Sequence, residues 1–222
     1  MTRYFQREIQ ELKKKLLHLA ATVEESLRTA IRAVTERDTT LAVEVVNRDN
    51  EIDQMEVELE EDCLKTLALH QPVAIDLRFL VAVLKINNDL ERIGDLAVNI
   101  AKRTHILART SNTDIPFDLP GMLQLAIEMV KRAVDALIEM DATSAGQVCC
   151  DDDDLDDRHR AAYSAVEQRI IERPEEAGYY ITLLGISRNL ERIGDHATNI
   201  AEDVMYMVDG EIVRHRGKDL NP

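Results

Sequence analysis

The chain is predicted to be all-α: six long helices arranged as two tandem three-helix bundles related by internal duplication. Three observations carry that prediction. Residues 90–101, LERIGDLAVNIA, return one hundred residues later at 190–201 as LERIGDHATNIA, identical at ten of twelve positions, and a match of that quality marks a repeated structural unit. Aromatic residues make up only 4%, Trp is absent, and 222 residues contain eight Gly and five Pro, a composition that favours helix. Apolar side chains recur at threes and fours, and at 45% of the chain they are ample for a core.

Residues 3–37 read as the first helix, with Phe5, Ile9, Leu12, Leu16, Leu19, Val23, Leu27, Ala30 and Val34 on one stripe and no Gly or Pro between them. Asp38-Thr39-Thr40 supplies a turn and an N-cap, because a short side-chain oxygen accepts from unpaired N–H groups of the first turn. The second helix reaches about residue 70. Its inward seam runs Val45, Asp49, Ile52, Glu56, Leu59, Cys63 and Leu67, with acids where apolar residues are expected. Pro72 stops it, since proline lacks the donor and disfavours helix at Gln71. The third helix spans 74–109 through Leu77, Leu80, Leu84, Glu91, Asp95 and Val98. Residues 110–120, TSNTDIPFDLP, form the linker, which assigns residues 1–112 to the first unit and 113–222 to the second. Helix four is placed at 121–140 with Leu125, Met129, Ala133 and Leu137 inward. Asp141 caps helix five, Pro174 ends it as Pro72 ends the second, and helix six covers 175–208. Gly210 terminates it, and the tail beyond is expected to pack loosely.

A net charge of -15 argues against nucleic acid, whose phosphates call for clustered Lys and Arg. Cys63, Cys149 and Cys150 are odd in number and outside any Cys-x-x-Cys frame, which fits a reduced, cytoplasmic chain with small core cysteines. The first fifteen residues read as a charged amphipathic helix and not a signal peptide, and no run approaches a membrane span. There is no phosphate-binding glycine loop, nucleophile motif or zinc helix, so a binding or regulatory protein is expected, not an enzyme.

The repeat keeps a local cost twice. Glu91 and Asp95, like Glu191 and Asp195, stand four apart on one helix face, where like charges repel. Asp49 and Asp53 in helix two align with Asp152 and Asp156 in helix five. In an antiparallel hairpin, residues equally far from the turn lie alongside. Asp49 is 23 residues before Pro72 and Asp95 is 23 after it; Asp156 is 18 before Pro174 and Glu191 is 17 after. Each unit should therefore bring four carboxylates together, and they need a countercharge. Oxygen-only donors favour Mg2+, Mn2+, Ca2+ or iron over structural zinc. Gly94 and Gly194, each costing about 1 kcal/mol inside a helix, point to close approach by a neighbour or ligand. Asn99 and Asn199, one turn beyond, are candidates for a further ligand or for hydrogen bonds to the carboxylates.

Other readings compete. Arg92 and Arg192 can neutralise Asp95 and Asp195 one turn on, leaving a metal-free helical adaptor. A ferritin-like di-metal carboxylate protein needs two carboxylate-histidine helices; Asp156-x-x-His159 is one, but its counterpart is Asp53-x-x-Glu56. His196, in the place of Leu96, reads as a local contact.

Asp49-x-x-Ile52-Asp53, the turn Gln71-Pro72-Val73-Ala74 running into Asp76-Leu77-Arg78, and LERIGD followed by Asn-Ile-Ala in both halves together resemble the PhoU family of phosphate-uptake regulators. The resemblance spans nearly the whole chain and is most specific at helices two, three and six. It implies side-by-side bundles with metal clusters held by E/D-x-x-x-D motifs, here Asp49 and Asp53, Glu91 and Asp95, Asp152 and Asp156, Glu191 and Asp195. Helix five departs from the pattern with an aspartate run, so which of residues 151–157 are ligands stays open. The resemblance further implies a negative regulator of phosphate uptake and phosphate-starvation signalling. It would act between the ATPase of a phosphate ABC transporter and a sensor histidine kinase, cytoplasmic and peripheral to the inner membrane through those partners. A homo-oligomer, in the simplest case a dimer, is expected.

Overall fold

A computed structural model describes residues 3–111 and 114–210. The helices are α1 (Arg3–Glu36), α2 (Thr39–His70), α3 (Ile75–Leu107), α4 (Leu119–Glu139), α5 (Ala142–Glu172) and α6 (Ala177–Asp209), with a 3-10 turn, Pro174–Glu176, before the last. No strand occurs among the described residues.

The helix ends follow local chemistry. Asp38 accepts from the N–H groups of Thr40 at 2.7 Å and Leu41 at 3.3 Å, and Asp141 does the same for Thr143 at 2.9 Å and Ser144 at 3.2 Å. These bonds favour the anion, so both carboxyls titrate below the usual range, Asp38 chiefly through backbone N–H groups and Asp141 first through the Ser144 hydroxyl. Helix α4 starts two residues ahead of its expected position, because Asp118 caps it by accepting from Gly121 N–H at 3.0 Å and Pro120 sits in its first turn, where a missing N–H costs nothing. Pro174 opens a 3-10 turn, which delays α6 to Ala177. The α2–α3 turn places two non-glycine residues at positive φ, Gln71 at 45° and Ala74 at 52°.

Helices α1, α2 and α3 form one bundle and α4, α5 and α6 the other. The repeat-bearing helices α3 and α6 are central and pack on each other in opposite directions, so Lys85, early in α3, meets Asp203, late in α6. Leu90, Ile93, Ala97, Ile100 and Ala101 are fully buried, as are Leu190, Ile193, Ala197, Ile200 and Ala201. The apolar letters of the repeat are therefore core, each Leu or Ile worth roughly 1.5–3 kcal/mol of burial. The α1 stripe is inside as expected. Leu77, in the first turn of α3, is 40% exposed. Of the cysteines only Cys63 is a fully buried core residue; Cys149 is half-buried and Cys150 exposed. The tail past Gly210 and the 112/113 boundary lie outside the described residues.

Candidate metal centre

In each unit one apolar side chain sets the distance between the acid-bearing helices. On α2, Ile52 is fully buried between Asp49 and Asp53 and lies over Gly94 of α3. A Cβ at Gly94 would stand 3.3 Å from two Ile52 carbons. On α5, Leu155 lies over Gly194 of α6 in the same way, and a Cβ there would come within 2.7 Å of Leu155 Cδ2 and 2.9 Å of Asp152 Oδ1. The repeated glycine is thus explained by packing: it admits the neighbouring helix, and with it the flanking acids.

Those acids come level as the turn arithmetic predicts. Burial raises Asp49 above the usual carboxylate range, with Asp53 and then Asp95 adding repulsion. Glu91 is raised first by burial and next by Asp95, with Asp53 and Glu56 contributing. In the second unit burial, followed by Asp195, Asp156, Asp153 and Glu191, pushes Asp152 up to about 7. Glu191 and Asp195 are raised by burial first; Asp156 repels both, and Asp195 repels Glu191.

Local cations answer only part of this charge. Arg92 donates to Asp95 Oδ2 at 3.2 Å and approaches Glu91 Oε2 at 3.4 Å, but its side chain is half exposed, where an ion pair is weak. Glu91 Oε2 is buried and accepts no hydrogen bond. Within the aspartate run three members are engaged elsewhere: Asp151 with Arg132, Asp154 with Arg158 at 3.0 Å, and Asp157 with Arg160. Asp152 and Asp156 are the two that interact with the acids of α6, which narrows the open choice among residues 151–157.

Asn99 is exposed. Asn199 donates to Asp89 Oδ1 of α3 at 3.2 Å, and His196 Nδ1 lies 2.8 Å from the same oxygen, so both serve the contact between bundles. Glu56 belongs with the first cluster although it is absent from the paired motifs. Burial, then Glu60 and Asp53, raises it, and Asn87 Nδ2 donates to its carbonyl at 2.9 Å and lies 3.4 Å from its Oε1. Its signal was the same stripe, one turn past Asp53.

Among the described residues, no three His, Cys, Asp or Glu side chains are gathered into a ready metal-binding set. The helix backbones bring the acids level without gathering three of them around one point. The donor chemistry fits a hard cation: carboxylate oxygens, one of them buried without a hydrogen bond, with mutual repulsion left over.

Fold and site define a class, a duplicated helical-bundle protein carrying one acidic face per bundle. The chain belongs to the PhoU family: the PhoU domain matches it twice, at residues 16–104 and 119–204. It is 35% identical to the phosphate-specific transport system accessory protein PhoU homolog of Pseudomonas putida, over 98% of this chain and 85% of that one, and 34% identical to homolog 1 of Thermotoga maritima, over 94% and 90%. The crystal structure of PhoU from Pseudomonas aeruginosa superposes with a TM-score of 0.91 at 34% identity, covering 93% of this chain and all of that one. The phosphate transport system regulatory protein PhoU from Streptococcus pneumoniae gives 0.84 at 28% identity, covering 94% and 99%. The family is one of accessory proteins of phosphate transport.

Proposed function

We propose that this chain is a metal-binding negative regulator of phosphate uptake and phosphate-starvation signalling, acting as a dimer between the ATPase of the phosphate transporter and a sensor histidine kinase. The observation that carries the metal part is the convergence, in both units, of two acid pairs whose charge the neighbouring arginines only partly offset. Relatives named as accessory proteins of phosphate-specific transport support the regulatory part. Asp49, Asp53, Glu91 and Asp95 hold the first cluster and Asp152, Asp156, Glu191 and Asp195 the second. Bound Mg2+, Mn2+ or iron would neutralise them and present positive charge to an anionic partner. No described helix is long and apolar enough to cross a membrane, and in this reading contact with the membrane is through partners.

Elemental analysis of protein purified without added metal or chelator tests the first part: the E91A/D95A variant should fold and lose metal, and full retention would refute the ligand assignment. For the second, deleting the protein should raise phosphate-regulated expression in phosphate-rich medium. Unchanged expression would remove the regulatory reading.

A further inference from the structure

We propose that the two clusters differ in metal preference because His159 Nε2 joins Asp156 as a donor in the second unit, where Glu56 offers oxygen in the first. The second unit would then select a borderline divalent ion of the Co2+ or Zn2+ kind and the first a hard ion. This rests on the metal reading above. His159 is three residues after Asp156, as Glu56 is three after Asp53, so each shares a helix face with its acid. Carboxylate-x-x-histidine is the spacing by which bundle helices offer an oxygen and a nitrogen to one ion.

The residues behind them are equivalent too. Asn87 and Ser187, one hundred apart in the repeat, are both buried; Asn87 donates to Glu56 O, and Ser187 Oγ lies 2.8 Å from His159 Nδ1. Ser187 Oγ is also 3.5 Å from Met122 Sδ. A thioether only accepts, so the serine hydrogen goes to Met122 and its lone pair takes the His159 Nδ1–H. Nε2 then carries the free lone pair, and the ring is oriented by a buried partner, as ligating histidines generally are.

The test titrates the full chain with Co2+ and with Mn2+. The first cluster is removed by D49N/E91Q/D95N, and His159 is kept or changed to Glu. Circular dichroism and Tm establish that each variant is folded. H159E should weaken Co2+ binding about tenfold while Mn2+ stays within about twofold, because nitrogen donors favour the later metals. The reciprocal E56H, with the second cluster removed by D152N/E191Q/D195N, should strengthen Co2+ over Mn2+. If H159E changes both metals equally, or neither, His159 is a packing residue and the inference is overturned with the clusters intact. If wild-type protein takes up neither metal, the metal reading itself fails and this inference with it.

Discussion

Replacing Asp152 by Asn measures the combined cost of burying and crowding a carboxylate at the second cluster. In the folded chain the carboxyl is pushed from 3.8 up to about 7, first by burial and then by the acids around it. A raised acid binds its proton more tightly folded than unfolded, so its contribution to stability is complete below the unfolded value and is lost as pH rises through the folded one. Between pH 5 and 8 the side chain deprotonates in the folded state while it is already ionised in the unfolded state. At 1.36 kcal/mol per pH unit, the stability of wild type relative to D152N should fall by roughly 2–3 kcal/mol across that window. Asp152 is partly buried, so solvent screening removes only part of this. Urea denaturation of both proteins at pH 5, 6, 7 and 8 with chelator present gives the difference, and groups common to both cancel. Repeating the series in saturating Mn2+ should shrink the slope. A wild-type minus D152N difference that is flat with pH in chelator would refute the claim that Asp152 sits among uncompensated acids.

Three further outcomes follow from the packing. G194A should be less stable than G94A by about 1–2 kcal/mol in urea melts, because its methyl meets Leu155 Cδ2 at 2.7 Å and Asp152 Oδ1 at 2.9 Å, while the methyl at Gly94 meets buried Ile52 at 3.3 Å, a tight contact whose cost is partly offset by helix propensity. D203A should cost about 1.5–3 kcal/mol, since Asp203 is buried and loses a charge-assisted hydrogen bond from Lys85, whose own side chain is about one-third exposed and stays partly hydrated; a loss under about 0.5 kcal/mol would place that pair among weak surface contacts. R37A should loosen the junction between units, because Arg37 Nη1 donates to the carbonyls of Leu107 at 3.0 Å and Thr110 at 2.8 Å; faster proteolysis near residue 110 in R37A is the readout.

Most of the fold was legible because each boundary rests on local chemistry: Asp38 and Asp141 cap where the sequence places them, and Pro72 and Pro174 each mark the turn of a hairpin. Two ends depart from the sequence expectation. Pro120 lies in the first turn of α4, a position proline suits, and not in the linker, and Pro174 opens a 3-10 turn instead of simply ending α5. The acid register was legible for a geometric reason: in a hairpin of straight helices, distance from the turn fixes who faces whom, and Asp49 with Asp95 obeys it. Asn199 and His196 could not be placed in the same way. Their partner, Asp89, belongs to the other unit, and counting along one hairpin says nothing about how two hairpins pack.

The junction between units shows how the duplication has been spent differently on its two sides. Because α3 and α6 run in opposite directions, residue 85 meets 203 and its repeat equivalent 185 meets 103. The first pairing is the ion pair of Lys85 with Asp203. At the second, Gly185 leaves room for the Arg103 guanidinium: a Cβ there would stand 2.4 Å from Arg103 Cζ. Asp89 takes His196 and Asn199, whereas its equivalent, Asn189, buries an amide nitrogen without a hydrogen bond. A junction solved by different polar contacts on each side leaves only the shared core and the acid pairs free to stay alike. LERIGD is the same in both halves, while Asp89 and Leu96 on either side of it in the first become Asn189 and His196 in the second. The same divergence reaches the clusters, where Glu56 and Asn87 on one side stand opposite His159 and Ser187 on the other. The two repeats share the carboxylate frame and differ in what stands at its edge.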